Sequence, residues 1–299
     1  MQQTLLAPDA AAPGRIKSRS LWRDAWHRLI GAHTVRFGMF ILVTFTLMAI
    51  LPPLLLPYDP QVDSSLSMRL EPPSWVHPFG TDGQGRDVLV RILHGSRVSL
   101  GVGVGSVLLS VIIGTLLGLI SGYAGPKVDL LIMFFMDILL AFPGTLLAIA
   151  MVAMSGPGLR NSLLAISVVS IPTYARIARS TVLSLKQREY VTAARCIGCT
   201  APRLLFWHVF PNSLPPLVVQ STLGVGSAIL ETAALGFLGL GAQPPAPEWG
   251  AMLADSYKYL TTGSWWVLLF PGVAIMLTVL GFNLVGDGLR DALDPTLRM

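Results

Sequence analysis

Apolar residues along this chain fall into six long runs, and each run is separated from the next by a short polar, Gly- or Pro-rich stretch. About 20 apolar residues in a helix cross the hydrocarbon of a bilayer. The runs predict spans over Phe37–Leu56, Val98–Tyr123, Leu130–Ala153, Asn161–Ile177, Leu214–Gly241 and Trp265–Gly286. The fourth is the least well bounded, because only residues 161–175 are free of charge. The second carries Gly101-x3-Gly105 and Gly114-x3-Gly118-x3-Gly122, small-residue ridges of the kind that let helices approach closely in lipid. The expected fold class is an all-α polytopic membrane protein with six transmembrane helices.

Ahead of the first run, residues 19–30 repeat with a helical period. Leu21, Trp22, Ala25, Trp26, Leu29 and Ile30 fall on one face, and Arg19, Arg23 and His27 on the other. This suits a helix lying in the headgroup layer. Residues 1–14 are small and polar and predict disorder. The first apolar run starts only at Phe37 and lacks a small-residue cleavage pattern, so a cleavable signal peptide is not expected.

Composition agrees with the pattern. Of 299 residues, 53% are hydrophobic and 12% charged, about half the charged share of an average soluble domain. The net charge of +5 comes from Lys and Arg near the ends of the runs, which argues for topology-setting residues and against a nucleic-acid surface. With both termini inside, fifteen of the 21 basic residues fall on the cytosolic side and six outside. The expected organisation is a cytosolic tail (1–36), a first span with an extracytoplasmic loop (37–97), a five-helix core (98–290) containing a cytosolic loop (181–212), and a short cytosolic tail (291–299).

Residues 189–212 are the most informative polar segment. Glu189–Cys196 can form a short helix with Val191, Ala194 and Arg195 on one side. Gly198 can end it in a left-handed turn, and Thr200 can open a second helix that tolerates Pro202 in its first turn. That helix runs into the fifth span at Pro211-Asn212. Cys196 and Cys199, the only cysteines, have the spacing of redox or zinc pairs. Two ligands do not complete a tetrahedral zinc site, so packing residues in a reducing compartment are the better account.

The segment resembles the "EAA" loop of permease subunits of ABC importers, with Glu189, Ala193, Ala194, Gly198 and Pro211 in the matching positions. The Tyr-Val-Thr insertion after Glu189 is similar to the peptide and nickel importer group. Gly80-Thr81-Asp82 and Gly85-Arg86-Asp87 resemble that group's "GTDxxGRD" signature. Residues 231–252 and 282–295 look like the same group, and most like its dipeptide permease subunits. The resemblance spans roughly residues 77–297. It implies a type I ABC importer permease fold and a path-forming, non-catalytic subunit of an ATP-driven importer of dipeptides or short peptides in the bacterial cytoplasmic membrane.

The partners it implies are a second homologous permease chain, two ATP-binding subunits and an extracytoplasmic substrate-binding protein. ATP and Mg would be held by the ATP-binding subunits, with no cofactor or metal on this chain. Coupling to the ATPase would fall to Glu189, Tyr190, Ala193, Ala194, Arg195, Gly198 and Pro211. Contact with the binding protein would fall to Gln243, Pro244, Pro245, Glu248 and Trp249. Nickel, metal chelates and haem-like compounds are the alternative cargo.

The residues fit these roles. No Gly-x4-Gly-Lys-Ser/Thr phosphate loop and no catalytic constellation occur, which speaks against a membrane-embedded enzyme. His77, Asp82 and Asp87 would make metal ligands only in a looser turn; Gly-rich spacing favours a rigid, backbone-bonded one. Asp137 and Glu231 lie inside spans, where each costs ~2.5–3.5 kcal/mol unless it faces protein or water. Asp137 would bond a polar group of the fourth or fifth span or line the path. Glu231 would do either equally well. An ion-coupled transporter using both acids as a relay is the competing class, but no internal repeat supports it. Arg176 and Arg179, three apart, are expected to anchor the cytosolic end.

Overall fold

The computed structural model describes residues 29–52, 58–59 and 63–293. Among them the chain is helical, with one isolated bridge, Thr81 to Asp87, as its only β pairing. The long helices are α1 (His33–Ile50), α2 (Val88–Ala124), α3 (Pro126–Leu140), α4 (Gly144–Ser155), α5 (Leu159–Leu185), α8 (Phe210–Phe237) and α10 (Trp266–Leu293). Shorter helices α6 (Glu189–Cys196), α7 (Ala201–Leu204) and α9 (Trp249–Ser256) lie in the connections. Four helical rods are long and apolar enough to cross a membrane: α1, α2, Ala201–Phe237 and α10.

The third predicted span is not one helix. α3 and α4 meet at 88° and reach the length and apolarity of a crossing only when taken together, as a broken span or a re-entrant loop. Pro143 stands at the break: with ψ 125° it is the N-cap residue of α4, and it has no N–H to continue the ladder of α3. The fourth predicted span, α5, has 27 residues and a length of about 40 Å, but it does not reach the same apolarity because Arg160, Arg176 and Arg179 lie on it. α2 is longer than the hydropathy predicts. It begins ten residues earlier, directly after the polar turn, where the Asp87 side chain accepts the N–H of Val90 and caps it. The amphipathic segment over 19–30 lies outside the described residues except for its last two, which are helical; Leu29 is buried with Val35 and Ala292.

The most extensive contact in the fold is between α2 and α5. A Cβ on Gly118 would lie 2.3 Å from the Ala175 carbonyl oxygen and 2.6 Å from the Ala178 Cβ. One on Gly114 would lie 2.7 Å from the Ile171 carbonyl oxygen. The 114–118–122 ridge therefore packs backbone against backbone, as small-residue ridges do. The Gly101–Gly105 pair does not: Gly101 has nothing within 4 Å, while Gly103, between them, receives Ile229 of α8. Helices α8 and α10 pack together, α8 also meets α2 and α5, and α1 lies against α10 and α2. The core between them holds Phe45, Val107, Ile166, Tyr174, Ile229, Trp249 and Val267. Large apolar side chains such as Leu108, Ile112, Leu116, Leu130, Phe134 and Phe135 stand exposed on the outside of the long helices, as suits lipid or another apolar subunit.

Overpacking a helix contact of this kind costs about 1–3 kcal/mol. Gly118→Ala should accordingly lower the heat resistance of the detergent-solubilised protein, measured as the fraction remaining monodisperse after heating. Gly101→Ala, which meets open space, should leave it unchanged. Equal behaviour of the two variants would remove the ridge from its role.

Candidate functional site

The loop between α5 and α8 is built as its sequence suggests. α6 spans Glu189–Cys196, and Gly198 follows with φ +83°. Its N–H bonds the Arg195 carbonyl at 2.9 Å, and the N–H of Cys199 bonds that of Ala194 at 3.1 Å, which satisfies the last carbonyls of the helix. Thr200 occupies the N-cap position of α7 with Pro202 in the first turn, but its hydroxyl makes no cap bond. α7 does not end before the next span. Leu205–Val209 form one wide π turn that joins it to α8, giving one helical rod over Ala201–Phe237. Pro211 lacks the N–H that would close on Trp207, and its ring crowds that carbonyl; widening the turn relieves both.

Val191, Ala194, Leu204 and Val209 of this loop are buried with Leu119 of α2 and Val182 of α5 in a small core of their own. That core fastens the loop to the ends of α2 and α5. Two sequence expectations change here. Ala194 points into the core and is not on the projecting surface, and Arg195 does not share its side but is exposed. One residue further along a helix is 100° of rotation, which separates them. Glu189, Tyr190, Ala193, Gly198 and Pro211 are exposed. So are Ile197, Phe206 and Trp207, apolar groups that motif reasoning passed over. Their signal was a large apolar side chain in a stretch too polar to enter a bilayer. Cys196 and Cys199 are both free thiols. Among the described residues no group of three His, Cys, Asp or Glu is placed to hold a metal.

The charges within the helices are partly paired. Arg179 Nε and Nη2 donate to the two oxygens of Asp129 at 2.5 and 2.7 Å, a two-pronged contact reinforced by the Ser121 hydroxyl. Arg176 Nη2 donates to Asp137 at 2.5 Å. These two arginines therefore tie α5 to α3 rather than only anchoring an end, and Asp137 has the fourth-span partner expected of it. Both members of the Asp137–Arg176 pair remain more than half exposed on this chain. Glu231 is different. Its Oε2 is buried without a hydrogen-bond partner, beside a cavity of about 20 Å³ lined by Thr145, Ala148 and Ile149 of α4 and Leu235 of α8. A cavity of that size holds about one water.

At the opposite end, the 80–87 turn is rigid. His77 Nδ1 lies 2.8 Å from Asp87, and Asp82 accepts from the backbone N–H of Gln84 and Arg86. These contacts use His77, Asp82 and Asp87 locally. Glu248 and Trp249 are not available as surface contacts, contrary to the sequence expectation: they are 1% and 0% exposed. Glu248 caps α9 by accepting the N–H groups of Gly250 and Ala251 and the Ser99 hydroxyl. Burial pushes its carboxyl above the ordinary carboxylate range, and the two backbone N–H bonds and the Ser99 bond oppose that. Trp249 Nε1 donates to the Ile92 carbonyl at 3.1 Å. Gln243, Pro244 and Pro245 are exposed, as expected.

Residues 114–299 match the family described as "Binding-protein-dependent transport system inner membrane component". Residues 20–73 match "N-terminal TM domain of oligopeptide transport permease C". A dipeptide transport system permease protein of Alkalihalophilus pseudofirmus is 49% identical over 98% of this chain and 97% of its own. A di/tripeptide transport system permease protein of Pseudomonas aeruginosa is 49% identical over 87% and 88%. A glutathione transport system permease protein of Pectobacterium atrosepticum is 45% identical over 94% and 93%. Among solved structures, a chain of the MetNI methionine ABC transporter aligns with a TM-score of 0.56 at 19% identity, covering 68% of this chain and 97% of that one. At that identity the likeness establishes the fold alone. The chain therefore belongs to the family of binding-protein-dependent transport system inner membrane components, the multi-pass permease subunits of ABC importers.

Proposed function

We propose that this chain is the path-forming subunit of an ATP-driven importer of dipeptides and short peptides, made of this permease, a second homologous permease, two ATP-binding subunits and an extracytoplasmic binding protein. Its relatives of nearly full coverage carry peptide-transport names, which favours peptides over metal chelates or haem-like cargo. In this reading the chain makes six crossings, α5 being the fourth, with both termini and the 181–212 loop cytosolic. It hydrolyses nothing itself: ATP and Mg²⁺ belong to the partner subunits.

The observation that carries the reading is the unbroken rod from α7 to Phe237. The projecting surface of Glu189, Tyr190, Ala193, Arg195 and Gly198, widened by Ile197 and Trp207 and extended to Pro211, would dock on the ATP-binding subunit. Ala194 would act from beneath, holding α6 to the Val182–Leu204 core. A push on this surface moves α8, and Glu231 rides on α8. Asp137, on the far side of the break in the third span, and Glu231 would border the path, and Gln243, Pro244 and Pro245 would meet the binding protein.

Gly198→Pro should disable coupling. Proline fixes φ near −65° where +83° is needed, and it removes the bond to Arg195. Uptake by the reconstituted complex should drop by about tenfold or more, and binding-protein-stimulated ATP hydrolysis should drop with it. Gly198→Asn, which tolerates the left-handed region, should retain both. Normal stimulated hydrolysis in the proline variant would remove the loop from the coupling role.

Orientation is checked by Cys196, which is exposed. A membrane-impermeant maleimide should label it in inside-out vesicles and leave it unlabelled in intact spheroplasts. Labelling in spheroplasts would invert the topology.

Glu231→Gln keeps the shape of the side chain and removes its charge. If the carboxylate meets the amine of a peptide on the path, the variant should assemble normally, and its uptake of free-amine peptides should fall more than its uptake of N-acetylated ones, provided the binding protein accepts both. Wild-type uptake of both peptides would make Glu231 a packing residue.

A further inference from the structure

The end of the molecule away from the coupling loop holds a charge cluster that neither coupling nor the path candidates use. Asp82, Arg86 and Arg91, on the 80–87 turn and the first turn of α2, are 4%, 4% and 3% exposed. Asp82 is saturated. Its Oδ1 accepts the N–H groups of Gln84 and Arg86, and its Oδ2 accepts Arg86 Nε at 2.8 Å and Arg91 Nη1 at 2.5 Å. The second carboxylate within reach is Asp255, at the end of α9. Its Oδ2 stands 3.9 Å from Arg86 Nη2 and 3.8 Å from Arg91 Nη2, beyond hydrogen-bond distance, and the side chain is 51% exposed. Arg91 Nε has no hydrogen-bond partner.

The cluster is balanced in formal charge but unequal in strength. One carboxylate is fully engaged; the other stands off beyond hydrogen-bond distance from both guanidinium groups, and Arg91 Nε is left without a partner. A buried guanidinium is costly unless a carboxylate meets it closely, best through two parallel bonds. A cavity of about 190 Å³ lies at this point, bordered by Arg86, Arg91, Gln84 and Asp255 and rimmed by the exposed Gln243–Pro245 loop. It shares no lining residue with the cavity at Glu231.

We propose that this cavity is a docking socket for a single acidic side chain, Asp or Glu, presented by the extracytoplasmic binding protein. The incoming carboxylate bridges Arg86 and Arg91, and Asp255 holds that place in the undocked protein. This rests on the reading of the chain as an importer permease.

Asp255 is the residue to vary, since it is exposed and lies outside the Asp82 network. The intact complex is placed in nanodiscs. Its affinity is measured for the substrate-binding protein that restores peptide uptake to it, by biolayer interferometry at low and moderate salt. Asp255→Asn removes the competing carboxylate and should tighten binding about threefold. Asp255→Lys replaces the competing carboxylate with a cation at the mouth and should tighten binding of the acidic side chain at least as much. Both effects should shrink as salt rises. Thermal unfolding run alongside confirms that both variants are folded. Binding by both variants within twofold of the wild type overturns the socket, and so does weaker binding by Asp255→Asn. A response seen only with binding protein loaded with a free-acid peptide assigns the carboxylate to the cargo, and overturns docking. Wild-type complex that binds no such protein overturns the importer reading itself, and the socket with it.

Discussion

The close approach of α2 and α5 is the contact on which the other placements depend. Along Gly114, Gly118 and Gly122 the backbone of α2 lies directly against the carbonyl oxygens and Cβ atoms of α5. In lipid, association of helices gains little from the hydrophobic effect, so close packing of this kind has to supply it. From that seam the remaining helices take their positions. α8 lies in contact with both members, and α10 and α1 follow from α8 and α2. The 189–212 loop is seated on the ends of the same two helices through Leu119 and Val182. A separation of α2 from α5 would therefore loosen the loop and the bundle together.

Much of this was legible in residues close together in the chain. The end of α6 at the left-handed Gly198 and the entry of the loop into α8 follow from turn chemistry that acts within a few residues. The 88° break between α3 and α4 was less legible. Pro143 was visible, but hydropathy runs on through it, and length alone does not distinguish a kinked span from two pieces. The outer loop misled for another reason. A Glu-Trp pair after three prolines looks like a surface, whereas Trp249 is bonded to Ile92, far away in the sequence, and Glu248 to Ser99. Burial that depends on a distant strand of chain leaves no local pattern.

Ionisable groups inside the bundle fall into two kinds. Asp129 and Asp137 are held by Arg179 and Arg176, so the acids on α3 are neutralised by bases from α5. This gives the third and fourth segments a fixed register in spite of the break. It also explains how the charged end of α5 sits against α3: Arg176 and Arg179 each face a partner of opposite sign. Glu231 lacks such a partner at Oε2, which is buried beside the small cavity against α4.

The wide turn at Leu205–Val209 has a geometric result of its own. A π turn takes in one more residue than an α turn, and one residue is worth about 100° of azimuth. The rod from Ala201 to Phe237 thus carries a phase offset between its two ends. The orientation of α7, which packs through Leu204, is set independently of the orientation of α8, which must present Glu231 and Ile229 in other directions. A single-residue deletion in Leu205–Val209 would return the ladder to α geometry and leave the azimuth of the loop nearly unchanged, because the wide turn already absorbs the extra residue. The turn thus lets the chain carry one more residue between the 189–204 loop and α8 with the packing at both ends kept.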